Sequence, residues 1–318
     1  MALLASNLLA PAILFFVLGQ VAAFVRSDLS IPEGAAKVMS IYLLLAIGFK
    51  GGVAVVQSGV GAHLIAALGA GAALSFILPF VAYVLLRRLT GLDAVNAAAV
   101  AGHYGSISIV TFVTAVSLLE ARGVPSEGYM VAVAAVMEVP AIMSAIWISA
   151  RSGGGGAING ALMRHILANG SIVLLVGAFI IGNVTGEAGL QELHPFIVLP
   201  FAGVLSLFML DMGLSAGRSL IKNRGDISGG LLVFGCLMPM VGSLFGFAFA
   251  ALIGLSMGSA FLLVVLSASA SYIAVPAAMR LALPNAKPGI YLSLALGITF
   301  PFNLTFGMPL YFLMSSWL

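Results

Sequence analysis

The sequence predicts an all-α integral membrane fold of about ten transmembrane helices, arranged as a 5+5 inverted-topology repeat with broken helices in spans 4 and 9. Three observations predict it. Of 318 residues, 62% are hydrophobic and only 7% charged, with a mean hydropathy of +1.19. The basic residues gather in alternate loops, and segments of the first half recur in the second half in order and at nearly constant spacing.

Composition comes first. A soluble domain carries roughly 25% charged residues, so this chain lacks the groups to cover itself with a hydrated surface. The bilayer core requires about 20 apolar residues per helix, and helices satisfy their own backbone hydrogen bonds where lipid cannot. The net charge of +3 calls for no nucleic-acid partner. The lone Cys236 excludes an intramolecular disulfide. The N-terminus lacks a basic n-region and a small-residue cleavage site, so the first apolar run reads as a retained span.

The apolar runs divide into spans at roughly 8–25, 35–56, 62–86, 95–118, 129–150, 162–183, 196–217, 228–253, 257–281 and 289–315. Gly153 to Gly156 mark a flexible connector. Residues 1–150 therefore form a first five-helix unit, 151–161 a cytoplasmic linker, and 162–318 a second unit. No gap is long enough for a soluble domain. Arg26, Lys37, Arg87, Arg88, Arg151, Arg164, Arg218, Lys222, Arg224, Arg280 and Lys287 follow odd-numbered spans, leaving Lys50 and Arg122 as exceptions among 13 Lys and Arg. The positive-inside rule places those loops in the cytoplasm and both termini outside.

Pro125 and Pro288 precede spans 5 and 10, 163 residues apart. At that offset Thr90-Gly91-Leu92 overlies Ile253-Gly254-Leu255, and Gly105-Ser106-Ile107-Ser108 overlies Ala268-Ser269-Ala270-Ser271. Glu138-Val139-Pro140 overlies Thr299-Phe300-Pro301 with a small displacement, and Ile47 to Gly52 overlies Met212 to Gly217. Five spans per unit force the second unit to enter the membrane from the opposite side, the inverted repeat of many secondary transporters. Shared apolar composition is the competing explanation for the matches.

Such transporters bind near the midplane, where interrupted helices expose backbone groups. Span 4 carries Gly102 to Ser108 with Thr111 and Thr114, and span 9 carries Ser267 to Tyr272 with Pro276. Glycine and serine both weaken a helix there. Half-helix N-termini attract an anion, and serine hydroxyls donate to an anion or offer oxygen to a cation. Gly105, Ser106, Ser108, Ser267, Ser269, Ser271 and Tyr272 are therefore the candidate substrate-binding residues. Close helix packing by small residues is the plainer alternative.

Ionisable groups inside a membrane are costly and default to functional hypotheses. Glu138, with Thr111, Thr299 and Asn303, forms the candidate cation-binding set. Lys50 and Asp211 read as a possible buried pair, and His103 as a local hydrogen-bonding group at a helix break ahead of a titrating or substrate-binding one. Gly213 to Gly217 satisfies G-x-S-x-G but lies in a lipid-buried helix without the strand-to-helix elbow that hydrolase chemistry requires. No metal-ligand spacing, phosphate loop or dinucleotide fingerprint is present, so an enzyme is not expected and no cofactor beyond a coupling ion is implied.

Over nearly its whole length the chain resembles the bacterial sodium-dependent bicarbonate transporter family. The most specific stretch runs from Ser267-Ala268-Ser269-Ala270-Ser271 through Pro276 and Arg280 to Pro284-Asn285-Ala286-Lys287-Pro288. Ile47-Gly48 with Gly51-Gly52, Tyr104-Gly105 with Ser108 and Thr111, and Glu138-Val139-Pro140 support it. The resemblance implies a core domain moving against a gate domain and bicarbonate held between the breaks with sodium adjacent. It also implies a homotrimer in the bacterial inner membrane and a PII-like cytoplasmic regulator. It matches Gly105, Ser108 and Thr111 to the first break and Ser269 and Ser271 to the second. Glu138 stands where those transporters have an aspartate.

Departures accompany the resemblance. Tyr272 stands where the family carries an acid, and Ala274 where it carries serine; the missing carboxylate is a missing hard-cation ligand. Sodium-coupled bicarbonate uptake is the leading expectation. The same architecture with an organic anion and proton coupling, as in bile-acid/sodium symporters and auxin-carrier-like exporters, is the second. A non-transporting membrane sensor or interaction protein is the third.

Overall fold

In the computed structural model, the described residues are 10–58, 62–152, 160, 164, 168–273 and 275–318, and among them there are helices and no strands. The helices are α1 (Pro11–Phe24), α2 (Glu33–Ser58), α3 (Ala62–Leu89), α4 (Ala94–Gly105), α5 (Ile109–Ala121), α6 (Met130–Val136) and α7 (Glu138–Arg151). The second half holds α8 (Gly170–Ile197), α9 (Phe201–Lys222), α10 (Gly229–Ile253), α11 (Met257–Ser267), α12 (Val275–Ala282) and α13 (Pro288–Ser315).

Among the described residues, eight stretches are long and apolar enough to cross a membrane, counting 94–121 and 130–151 each as one. Pro11–Phe24 and Met257–Ser267 are shorter apolar helices. The sixth and seventh spans lie further along the chain than the hydropathy pattern predicts. Against the predicted 162–183 and 196–217, the described helices are Gly170–Ile197 and Phe201–Lys222, while 162–163 and 165–167 lie outside the described residues. Asn169 caps the start of α8, its side chain accepting from Ser171 N. Gly186, at φ 58 and ψ −148, then kinks α8 without ending it, a positive φ that glycine adopts at no steric cost. The glycine run of the linker, 153–156, lies outside the described residues, as does Ala274.

The helices pack in two groups. α1 lies along α9, and α2 along α8, in the most extensive contacts of the molecule. Glycine sets both distances. A Cβ on Gly52 would stand 2.0 Å from the Phe179 carbonyl oxygen, and one on Gly213 would stand 2.1 Å from that of Phe16. Small residues let backbones approach in this way, which is how helices associate in lipid. The second group holds α3, α4 and α7 on one side and α10, α11 and the end of α13 on the other.

Asp93 shows how the loops hold these helices. Its carboxylate caps α4 by accepting from Asn96 N at 2.9 Å and from Asn96 Nδ2 at 2.6 Å. The Asn96 side-chain oxygen in turn accepts from Lys287 N at 2.8 Å, docking the segment before α13. Partial burial works to raise the Asp93 pKa, and the hydrogen bonds from Asn96 together with those from the Val95 and Asp93 backbone outweigh it, leaving the pKa below the usual value. Asp93→Ala is expected to cost about 1 kcal/mol, read as a lower melting temperature in detergent. A depressed pKa stabilises the fold above the unfolded value and loses that effect as pH falls through the folded one. The gap between variant and wild type should therefore close only below about pH 3.9.

Candidate functional site

Two helix interruptions meet inside the second group. α4 ends at Gly105, α5 begins at Ile109, and the flanking Ser106 and Ser108 are extended. α11 ends at Ser267, and Val275 begins α12. Gly105 lies so close to α3 that a Cβ would meet the Pro79 ring at 2.3 Å, so α4 cannot carry a larger residue at its end. Gly242 of α10 lies likewise against the Ser267 carbonyl, where a Cβ would stand 2.1 Å away.

The two interruptions bond to each other. Ser271 N donates to the His103 carbonyl at 2.8 Å, and His103 Nδ1 stands 2.5 Å from the Ser271 carbonyl oxygen. Ser108 N donates to Ser269 Oγ at 2.9 Å, and Ser269 Oγ donates to the Leu266 carbonyl at 2.9 Å. Ser108 Oγ receives Thr111 Oγ1 at 2.8 Å and Thr111 N at 3.2 Å. Ser271 Oγ accepts from Val275 N at 3.4 Å, at the start of α12. Each helix therefore starts beside a serine that faces the other interruption.

Glu138 reaches the crossing from between α6 and α7. There Ser75 of α3 replaces a helical hydrogen bond: its hydroxyl donates to the Met137 carbonyl and accepts from Ala141 N at 3.1 Å. Pro140 has no N–H to offer that turn. Glu138 is 2% exposed. Its Oε2 accepts from Ser106 Oγ at 2.5 Å, while Oε1 has no partner.

Thr299 and Asn303 come from α13, whose π-helical stretches Ala295–Thr299 and Asn303–Gly307 flank Pro301. Thr299 Oγ1 donates to the Gly235 carbonyl at 2.7 Å and lies 2.5 Å from Tyr104 OH, which must then donate to it. Asn303 Nδ2 donates to the Ala268 carbonyl at 2.8 Å, and its Oδ1 accepts from Tyr311 OH at 2.8 Å. π-Bulges of this kind recur at functional sites.

Ser108, Thr111 and Ser269 form one hydrogen-bonded group, Ser106 pairs with Glu138, Ser271 with His103 and Asn303 with the Ala268 carbonyl, while Thr299 bonds to α4 through Tyr104. Ser267 stands apart: its hydroxyl turns back to the Leu263 carbonyl at 2.8 Å. Tyr272 packs edge-on to Phe300 at 5.6 Å, and its hydroxyl faces Ser108 outside hydrogen-bond geometry. Lys50 does not pair with Asp211. It bonds Glu120 at the end of α5 and lies 5.1 Å over the Phe201 ring, because α2 runs between α5 and α9. Tyr104 and Tyr311 were not anticipated; a tyrosine in the apolar interior of a span is the signal that a partner awaits its hydroxyl.

Among the described residues, four buried side-chain polar atoms have no hydrogen-bond partner, and three belong to the crossing: His103 Nε2, Glu138 Oε1 and Tyr272 OH. Buried polar groups are normally satisfied, so three such atoms around one junction set it apart from the rest of the described interior. The described residues hold no cluster of three or more His, Cys, Asp or Glu suited to a metal ion. What the arrangement offers instead is serine and tyrosine hydroxyls, helix starts and a single carboxylate.

The family model for the Na+-dependent bicarbonate transporter superfamily matches residues 11–316. No curated protein matches the chain.

Proposed function

We propose, because the chain belongs to the Na+-dependent bicarbonate transporter superfamily, that it carries bicarbonate inward with sodium by alternating access. The observation that carries this reading is the crossing of two interrupted helices with three unpartnered polar atoms around it. Ser106, Ser108, Ser269, Ser271 and Tyr272, with the N–H groups that open α5 and α12, hold the anion against the backbone of Gly105. Ser267 sets the approach of α11. Glu138, Thr111, Thr299 and Asn303 offer oxygens to the cation.

The fold supports a 5+5 inverted repeat with residues 1–150 and 162–318 as its units, joined by 151–161. In such a repeat the first span corresponds to the sixth and the second to the seventh. The pairing of α1 with α9 is then the counterpart of α8 with α2, and both pairs are close. The loops agree. Glu127 N donates to Ser259 Oγ at 3.0 Å at the start of α11, as Lys287 N donates to Asn96 Oδ1 at the start of α4. On this reading α1, α2, α8 and α9 form the gate and the remaining helices the core. The transporter sits in a bacterial cytoplasmic membrane with both termini outside, as a homotrimer open to a PII-like regulator.

Tyr272, in the place of an acid, favours a second reading: the same architecture with another anion or with proton coupling. The deciding experiment is labelled-bicarbonate uptake into proteoliposomes with and without an inward sodium gradient. Sodium-dependent accumulation is expected, and Glu138→Gln should reduce the sodium dependence at least tenfold while the protein stays folded. Uptake indifferent to sodium in the wild type would remove the coupling. No uptake by folded protein would remove the cargo.

A further inference from the structure

We propose that His103 is a specificity-determining residue whose Nε2 accepts a hydrogen bond from the hydroxyl of the transported anion. This rests on the bicarbonate reading above and extends it.

The tautomer follows from geometry. Nδ1 lies 2.5 Å from the Ser271 carbonyl oxygen, and a carbonyl oxygen only accepts, so Nδ1 carries a proton. In the neutral ring Nε2 is then a bare lone pair. The residue is completely buried, and no carboxylate pairs with it to hold a second proton. Nε2 has no partner, although an unfilled buried acceptor costs free energy. The ring has no freedom to seek another partner, because it stacks on Tyr291 with centroids 4.4 Å apart and its backbone is tied to Ser271.

The three unpartnered atoms divide by chemistry. Glu138 Oε1 belongs to a carboxylate, which suits a cation and repels an anion. Tyr272 OH can donate to an anionic oxygen. His103 Nε2 is the uncharged acceptor, and an anion can satisfy it only by bringing a proton of its own. Bicarbonate does so; nitrate has the same planar, three-oxygen shape and no hydroxyl. A site with a buried acceptor rejects the analogue that leaves it unpaired.

Competition between bicarbonate and nitrate in proteoliposomes under an inward sodium gradient tests this. Wild type should prefer bicarbonate by about ten- to hundredfold. His103→Asn keeps an N–H in the place of Nδ1, and so the bond to Ser271, while deleting the acceptor at Nε2. It should lose about tenfold in bicarbonate affinity with nitrate affinity unchanged, at a melting temperature close to wild type. A folded variant with undiminished preference would overturn the assignment. Should the variant fail to fold, the wild type alone decides, since equal competition by nitrate sinks the inference. A wild type that binds neither anion sinks the functional reading and the inference together.

Discussion

Ser269→Leu is expected to abolish transport while leaving a folded, membrane-inserted protein. Ser269 Oγ stands between the two interruptions, accepting from Ser108 N and donating to the Leu266 carbonyl, and the residue is 1% exposed. Leucine there removes the only side-chain acceptor shown for Ser108 N and fills the junction with branched carbon. The unpaired N–H and the overpacking each cost about 1–3 kcal/mol, which the helix packing on either side can absorb. Transport has no such reserve on the proposed reading, in which the anion enters that junction. Uptake should fall below about one hundredth of wild type, and Ser269→Ala, which unpairs the same N–H but opens room, should retain about a tenth. Melting temperature in detergent separates the site effect from unfolding. Substantial uptake by a folded Ser269→Leu protein would remove the crossing as the anion site.

Gly52→Val should fail at an earlier stage. An ideal Cβ at position 52 stands 2.0 Å from the Phe179 carbonyl oxygen and 2.7 Å from Asn183 N. Both are backbone atoms of α8, so no rotamer change relieves the contact, and the two helices must separate along their length. The loss should exceed about 3 kcal/mol, seen as a collapse in the yield of monodisperse protein. Gly69→Val is the control: a Cβ there meets nothing within 4 Å, and the variant should melt near wild type. A Gly52→Val protein as stable as that control would show that α2 and α8 do not need this approach.

Much of the architecture was legible because lipid demands it. Apolar runs of helical length have few alternatives in a bilayer, and the ends of α2, α3, α10 and α13 fall close to where hydropathy places them. α8 escaped because Gly182, Asn183 and Glu187 look like the end of a span, whereas the chain kinks at Gly186 and continues. The crossing was legible as composition, in the glycines and serines of two segments that the proposed repeat makes equivalent. Its wiring was not. That Ser75 bridges the Met137 carbonyl and Ala141 N, that Tyr104 finds Thr299, and that His103 clasps Ser271 are meetings of residues far apart in sequence. The expected partner of Lys50 failed for the same reason. Alignment of two halves says which positions correspond, and says nothing of which ones touch; Lys50 bonds Glu120 within its own half.

The cross-pairing of α1 with α9 and α2 with α8 bears on biogenesis. α1 emerges from the ribosome first, yet its packing face belongs to a helix nearly 200 residues further along. At about 5–20 residues per second, the first two helices wait on the order of ten seconds or more in the bilayer for their mates. Lipid makes the wait harmless, since each helix already satisfies its own backbone. On the proposed division at the linker, neither half is then expected to fold alone. Cut at the linker and produced as two polypeptides, the halves should be unstable singly and recover together, the second supplying both mates that the first has been waiting for.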